Sequence, residues 1–342
     1  RNLKNWKEIF HHNYIINIIL SILYYQYNIM NYNKLLFILF ILFTLFILFI
    51  LIKLVLKIMT SKKLNKVNNI KPIVILLDMD KTMIGDIIPQ LEEYYIIENI
   101  NIELQRLNKK KLNFNFKRLR NELKKNLIRP YLIKFIKSIS KYDNIEIFVY
   151  TASHNDWANI LIPQIEKTIS SYKKDWAFRF NKPFLTRKHT IIKDKRYRKS
   201  IKKIKPFVFK ELKNKYNLNS IKDLKNIMLF DDTHDVLLEK KYQIKVPEYT
   251  YLKQFDYLRD IPEKYIKKYY IIIEDKLNIE HSSTYDGFRT KYHNFLKKRF
   301  LHSDINNKKF NKDNYWNLIY DVFKNKIHNV SFTELLKELK NV

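Results

Sequence analysis

Apolar and polar positions divide the chain into an anchor-like run, an alternation of short strands and helices, and a helical tail. Leu35 to Ile52 holds no charged residue and only Thr44 as a polar one. With Leu54 to Leu56 beyond Lys53, it reaches the roughly 20 apolar residues that a bilayer-crossing helix needs. Residues 34–58 are therefore expected to form a single membrane span. The run is too long for the apolar part of a signal peptide and lacks a small-residue cleavage site. Further on, Val74–Leu77 is a short unbroken apolar run, and Ile145–Tyr150 and Asn226–Phe230 read as two further strands, mostly apolar. Each ends abruptly in polar residues, as strands buried on both faces of a parallel sheet do. Between them Leu132, Phe135, Ile136 and Ile139, then Trp157, Ile160, Leu161 and Ile165, recur at helical spacing. Arg129-Pro130 would open the first of these helices, with the proline in its first turn. Strands alternating with helices predict an α/β fold built on a doubly wound parallel sheet. Between Ile87 and Lys117, the alternating Leu112-Asn113-Phe114-Asn115-Phe116 predicts a small β-hairpin inserted over the sheet, turning at Asn108-Lys109.

The expected organisation is an N-terminal segment (1–33), peripheral or upstream of a start at Met30, then the anchor (34–58) and a basic linker (59–71). An α/β domain (72–268) and a helical C-terminal extension (269–342) follow, the latter amphipathic and without visible chemistry. Charge adds an orientation and a class of partner. Lys53, Lys57, Lys62, Lys63 and Lys66 follow the apolar run, while Lys34 alone stands close before it. The positive-inside rule then puts the α/β domain on the cytoplasmic side of the membrane. The 342 residues carry 65 Lys+Arg against 34 Asp+Glu, a net charge of +31. That surplus favours anionic partners: phosphorylated substrates, nucleic acid or acidic lipid. Arg106 to Arg129 holds ten Lys or Arg and one acid, Glu122. This run reads as a solvated face rather than a nucleic-acid groove. The chain has no cysteine, which excludes a disulfide framework and a thiol nucleophile.

Candidate chemistry sits where the strands end. In open α/β sheets, ligands gather just past the carboxyl ends of strands. There the first run carries Asp78, Asp80 and Thr82, the second Thr151 and Ser153, and the third Asp231 and Asp232. Lys199 lies between the last two groups in sequence. Alternation puts Asp78, Asp80 and Thr82 on one side of the chain and Met79 and Lys81 on the other. Adjacent carboxylates repel unless a cation or a proton intervenes, and both outcomes serve phosphoryl transfer. One carboxylate can attack phosphorus while another moves protons. Magnesium suits the oxygen-only set of Asp78, Asp231 and the backbone carbonyl of Asp80. Thr151 can donate to a phosphoryl oxygen, and Lys199 can offset the charge that develops on it. Gly85, one of only two glycines, suggests a turn that needs its backbone freedom. The competing account of the first cluster is an acidic loop that caps the next helix.

Taken in order, these motifs resemble the haloacid dehalogenase superfamily. Within it they resemble the phosphatases of the RNA polymerase C-terminal domain, also called NLI-interacting-factor-like. The family's D-L-D-E-T-L is matched by Asp78-Met79-Asp80-Lys81-Thr82-Met83, and its R-P-x-L-x-x-F-L by Arg129 to Ile136. Its F-T-A-S is matched by Tyr150 to Ser153, its Y-x-K-D-L by Tyr197 to Ile201, and its D-N-S-P by Asp231 to His234. The resemblance covers roughly Pro72 to Lys268. It implies Asp78 as nucleophile, Asp80 as general acid/base, and Thr151 and Lys199 as phosphate binders. Asp78, Asp80 and Asp231 would hold magnesium, with Thr82, Ser153 and Asp232 supporting them. Lys81, Asp232 and His234 depart from the pattern. Lys81 should point away from the metal, Asp232 adds charge beside it, and His234 reads as a solvent or capping residue. The implied activity is a membrane-anchored phosphatase for phosphoserine or phosphothreonine of proteins, with a monomeric catalytic domain. Two alternatives are a non-catalytic membrane-tethered receptor of the same fold and a phosphatase of nucleic-acid ends.

Overall fold

The computed structural model describes residues 17–24, 26, 40–53, 71–173, 175–301, 303–310, 312–327 and 330–342. The chain divides into two units, Arg1–Lys66 and Val67–Val342. In the first, residues 40–53 are helical and exposed along nearly their whole length, including Leu42, Phe43, Phe46 and Phe49. The expected span 34–58 lies partly outside the described residues. Among those described, no helix is long and apolar enough to cross a membrane.

The second unit is built on a parallel five-stranded sheet of order β3-β2-β1-β6-β7. The strands are β1 (Ile73–Leu77), β2 (Ile145–Tyr150), β3 (Asn181–Leu185), β6 (Asn226–Asp231) and β7 (Gln243–Lys245). β1 is central and buried at every residue. Its side chains alternate between two cores. Ile73, Ile75 and Leu77 join one cluster, and Val74 and Leu76 join the other. The second cluster is covered by the helix Ile201–Tyr216 through Ile204, Val208 and Leu212. The first is covered by Leu132–Ile139, Asn155–Ser170 and Ile88–Arg106. Both faces are thus sealed, which is why the central strand is an uninterrupted apolar run.

The hairpin expected over Ile87–Lys117 is absent. Ile88–Arg106 is a helix that buries Ile96, Ile97, Ile100 and Leu104. Asn108, at φ 52°, ends it, and the Lys109 N–H donates back to the Leu104 carbonyl. The predicted turn is therefore a helix terminus. Leu112 does not pair with a strand, because its N–H donates to Asn101 Oδ1 (2.7 Å) and its carbonyl accepts from Asn101 Nδ2 (3.0 Å). Asn115 accepts from the Arg118 N–H and so caps the helix Phe116–Glu122. The short alternation was satisfied by side-chain amides, which compete well with a ladder over so few residues.

A two-stranded antiparallel hairpin lies elsewhere, formed by β4 (Ile191–Lys193) and β5 (Arg196–Arg198). Asp194 and Lys195 turn it with φ of 53° and 59°, the left-handed pair that a two-residue hairpin requires. Pro130 is not inside a helix. Tyr131, at φ 62°, precedes the helix that starts at Leu132. The C-terminal helices share the main core: the helix Glu263–Leu277 runs across residues 268 and 269. In the helix Tyr315–Lys326, Trp316 is fully buried against Phe135 and Phe230 at centroid distances of 4.9 and 5.4 Å.

Candidate active site

Parallel pairing dictates which side chains meet. Leu77 pairs with Val149 on one side and Phe230 on the other, so the residues just after these three strands are neighbours. The Asp78 N–H donates to the Phe230 carbonyl at 2.9 Å, which holds Asp78 beside Asp231. Lys199 arrives from the end of β5 and is held by main-chain bonds, its N–H to Val236 O and its carbonyl from the Leu238 N–H. Its side chain is buried, and Nζ lies 2.5 Å from both Asp78 Oδ1 and Asp231 Oδ2. Three residues from three segments therefore close one buried cluster.

The loop after β1 sends its side chains to the expected sides, but through a turn with Lys81 left-handed (φ 59°) rather than an extended chain. Met79 goes into the core. Asp80 Oδ2 accepts the Ser153 hydroxyl at 2.6 Å. Lys81 turns outward and pairs with Glu248. Buried Thr82 donates to Asp232 Oδ1 (3.1 Å) and accepts from the Asp232 N–H (3.0 Å). Thr151 is buried at the end of β2, where its Oγ1 accepts the Ser153 N–H at 3.1 Å. His234 is exposed and faces Asp235, remote from any ligand role.

Asp78, Asp231 and Asp232 each offer a carboxylate oxygen, and these lie within 4.8 Å of one another. That trio counts side-chain oxygens only: the Asp80 carboxylate accepts from Ser153, and the oxygen expected of Asp80 is its backbone carbonyl. Burial lifts the Asp78 carboxyl well above the ordinary carboxylate range against the pull of Lys199, and Asp231 and Asp80 add repulsion. Burial also raises Asp80, against the Ser153 bond, and Asp232, with Asp231 adding repulsion. Burial pulls the Lys199 ammonium down, but the Asp231 and Asp78 carboxylates beside it more than compensate and hold it above the usual lysine value. One ammonium thus serves a crowd of buried acids. An all-oxygen set with excess negative charge suits a hard divalent cation such as magnesium.

Two contributors were hidden in the sequence. Arg187 lies just past β3, and its N–H donates to the Ser153 carbonyl (3.1 Å). Its guanidinium donates to Ala152 O (2.8 Å) and sits over the Tyr197 ring at 4.7 Å. Tyr150 OH donates to His189 O and accepts from the Ser200 N–H, both at 3.0 Å, so it fixes the backbone that carries Lys199. Arg187 stands in a dense basic run, and nothing in the residue pattern marks it out from its neighbours.

A central parallel strand that ends in paired aspartates, answered by a lysine and a second aspartate pair, defines the haloacid dehalogenase class. The chain belongs within it to the NLI interacting factor-like phosphatase family, whose model matches residues 73–271. No curated relative matches the chain. Among solved structures it is similar to a variant of fission yeast RNA polymerase II CTD phosphatase Fcp1 bound to beryllium fluoride. That match has 16% identity and a TM-score of 0.30, and covers 84% of this chain and 65% of that one. A second structure of Fcp1, described as an essential RNA polymerase II CTD phosphatase, matches at 16% identity with a TM-score of 0.29. It covers 82% of this chain and 73% of that chain. This chain spans less than two thirds of the first of these relatives.

Proposed function

We propose that the chain is a magnesium-dependent phosphatase that works through an aspartyl-phosphate at Asp78, acting on phosphoserine or phosphothreonine of proteins. The observation that carries this reading is the Lys199 ammonium 2.5 Å from both Asp78 and Asp231. It joins the nucleophile's carboxylate to the end of the neighbouring strand and would offer a cation where phosphoryl charge develops. The Asp78 carboxylate oxygen bonds to phosphorus as the bond to the leaving oxygen breaks. Asp80, whose carboxyl burial raises above the usual carboxylate range, delivers its proton to that oxygen. Asp80 then takes a proton from water, which attacks phosphorus, releases phosphate and restores Asp78. Ser153 orients Asp80, Thr151 offers its hydroxyl to the phosphoryl group, and Thr82 holds Asp232 in place. Asp78, Asp231 and Asp232 would hold magnesium, which supplies charge neutralisation for the transferring group.

The family membership supports phosphatase chemistry, and the retained Asp80 supports an enzyme over a receptor. Release of phosphate from para-nitrophenyl phosphate is expected to require magnesium. It should fall at least about 10³-fold in Asp78→Asn, because the covalent route is then lost. Full activity in that variant would refute the mechanism. We also assign 34–58 to membrane attachment, on the charge-free run Leu35–Ile52 and the outward Leu and Phe side chains of 40–53. The full chain should float with neutral phosphatidylcholine vesicles and stay bound in high salt. Release by salt alone would mean attachment by charge rather than by insertion.

A further inference from the structure

We propose that the β4–β5 hairpin is a docking surface for acidic residues beside the phosphorylated residue, so that the preferred substrate is a phosphopeptide with Asp or Glu flanking the phosphoserine or phosphothreonine. The inference rests on the phosphatase reading above and narrows its substrate. The hairpin joins the site without a spacer, since Arg198 ends β5 and the next residue is Lys199, which holds Asp78. On its other side it touches the site through Tyr197, whose ring carries the Arg187 guanidinium. Arg187 is fixed in turn to Ala152 O and to the carbonyl of Ser153, the residue that binds Asp80.

From residue 191 to 198 the hairpin holds Lys193, Lys195, Arg196 and Arg198 against a single acid, Asp194. Lys193, Lys195 and Arg196 are exposed, as is Lys188 just before them. Among the described residues none of these four has a carboxylate within ion-pair distance, whereas Lys81 across the site is paired with Glu248. Unpaired cations gathered beside the site attract acidic chains and set the direction of approach. Arg198 is tied to Asp235 O at 2.6 Å, which steadies the strand that carries them. A substrate chain advances about 3.3 Å per residue, so acidic side chains within about four residues of the phosphorylated one reach the hairpin.

A peptide fits this surface better than a nucleic acid does. Ile192 and Tyr197 face each other across the ladder, exposed at 70% and 43%, and form a small apolar step between the cations. One face of the Tyr197 ring is already taken by Arg187, so an unpaired base would have to displace that guanidinium to stack there.

The test measures binding by fluorescence anisotropy, on the full-length chain, of a labelled phosphoserine peptide with Asp at the flanking positions and of the same peptide with Ala there. It compares the native chain with Lys193→Glu/Lys195→Glu/Arg196→Glu, and with the Gln version of the same triple as a milder variant. The native chain should bind the acidic peptide about tenfold or more tightly at low salt. The Glu triple should abolish that preference, the Gln triple should reduce it, and both should turn over para-nitrophenyl phosphate like the native chain. Equal affinity for the two peptides, or a preference that survives the Glu triple, overturns the proposal. So does a 5′-phosphorylated oligonucleotide that binds more tightly than the acidic peptide at the same salt. Failure of para-nitrophenyl phosphate turnover would instead strike the phosphatase reading, while the anisotropy ratio still decides this one.

Discussion

At Gly85 one added carbon would meet a carbonyl. A Cβ there would lie 2.3 Å from Tyr251 O, part of a backbone already fixed by the Asp86 N–H donating to that oxygen. The Gly85 N–H itself donates to Leu127 O, so neither side can withdraw. The residue does not have positive φ; it was read as needing backbone freedom, and what it needs is room. Left-handed geometry is instead carried by Lys81, at φ 59°, which throws its side chain outward to Glu248 and leaves Asp80 and Thr82 turned inward. Gly85→Ala is expected to cost about 1–3 kcal/mol through forced backbone displacement, read as a lower midpoint in chemical denaturation. An unchanged midpoint would mean that the Tyr251 strap yields freely. Asp78, Asp80, Thr82, Thr151 and Asp231 stand out in the sequence by residue type and strand-end position, and Lys199 by its match to the family's Y-x-K-D-L. Arg187 does not, since its place depends on the end of β3, a strand whose Asn181-Lys182-Pro183 start has no apolar run.

Elements were legible in proportion to how completely they are buried. β1, β2 and β6 are sealed on both faces and announce themselves as mostly apolar runs. The β4–β5 hairpin is solvated, turns without glycine, and was lost in a basic stretch. The helix Ile88–Arg106 was missed because polar residues interrupt its buried face: Gln90, Glu93 and Asn101 are buried along with its isoleucines. Glu93 marks a buried junction of elements. Arg118 of the next helix pairs with it and with Asp260 at 3.0 Å, approaches Glu122 at 3.9 Å and lies 4.6 Å from the Phe255 ring. Burial raises the Glu93 carboxyl from 4.5 to about 7, more than Arg118 can offset. A raised folded-state value means that the folded chain holds this proton more tightly than the unfolded one. Stability from this group is therefore full below about pH 4.5 and falls as pH rises to about 7, by about 3 kcal/mol in all. Glu93→Gln should flatten the fall of melting temperature across that window and leave the variant more stable than the native chain at about pH 8. Arg118 keeps Asp260 in that variant, so no charge is stranded. Identical slopes in the two proteins would show that Glu93 is ionised in the fold.

Across the whole molecule two fields oppose each other. The surface of a chain at +31 repels itself and is relaxed by any salt. The site, with Asp78, Asp231 and Asp232 gathered within 4.8 Å around one lysine, is locally negative. The helices beyond the family's matched region keep that concentration of acid rigid. Trp316 packs on Phe135 and Phe230 and reaches Thr82 O with its indole N–H at 3.4 Å. Asp313 holds buried Arg129, whose own N–H donates to Met83 O. The loop that follows Asp78 is thus held from the C-terminal side, through Thr82 O and Met83 O. A ligand that binds the folded state alone raises stability by mass action, about 2.7 kcal/mol at a hundred times its dissociation constant. For a unit of this size that is a rise of roughly 5 °C. Magnesium should therefore raise the melting temperature beyond sodium chloride at matched ionic strength. Both salts screen the surface alike, but only the divalent ion relieves the site. Asp231→Asn should remove that extra rise while keeping the common one, so melting curves of the two proteins in the two salts separate surface from site. Equal melting temperatures in magnesium and sodium for the native chain would show that Lys199 already satisfies the acids, and the metal would lose its place in the mechanism.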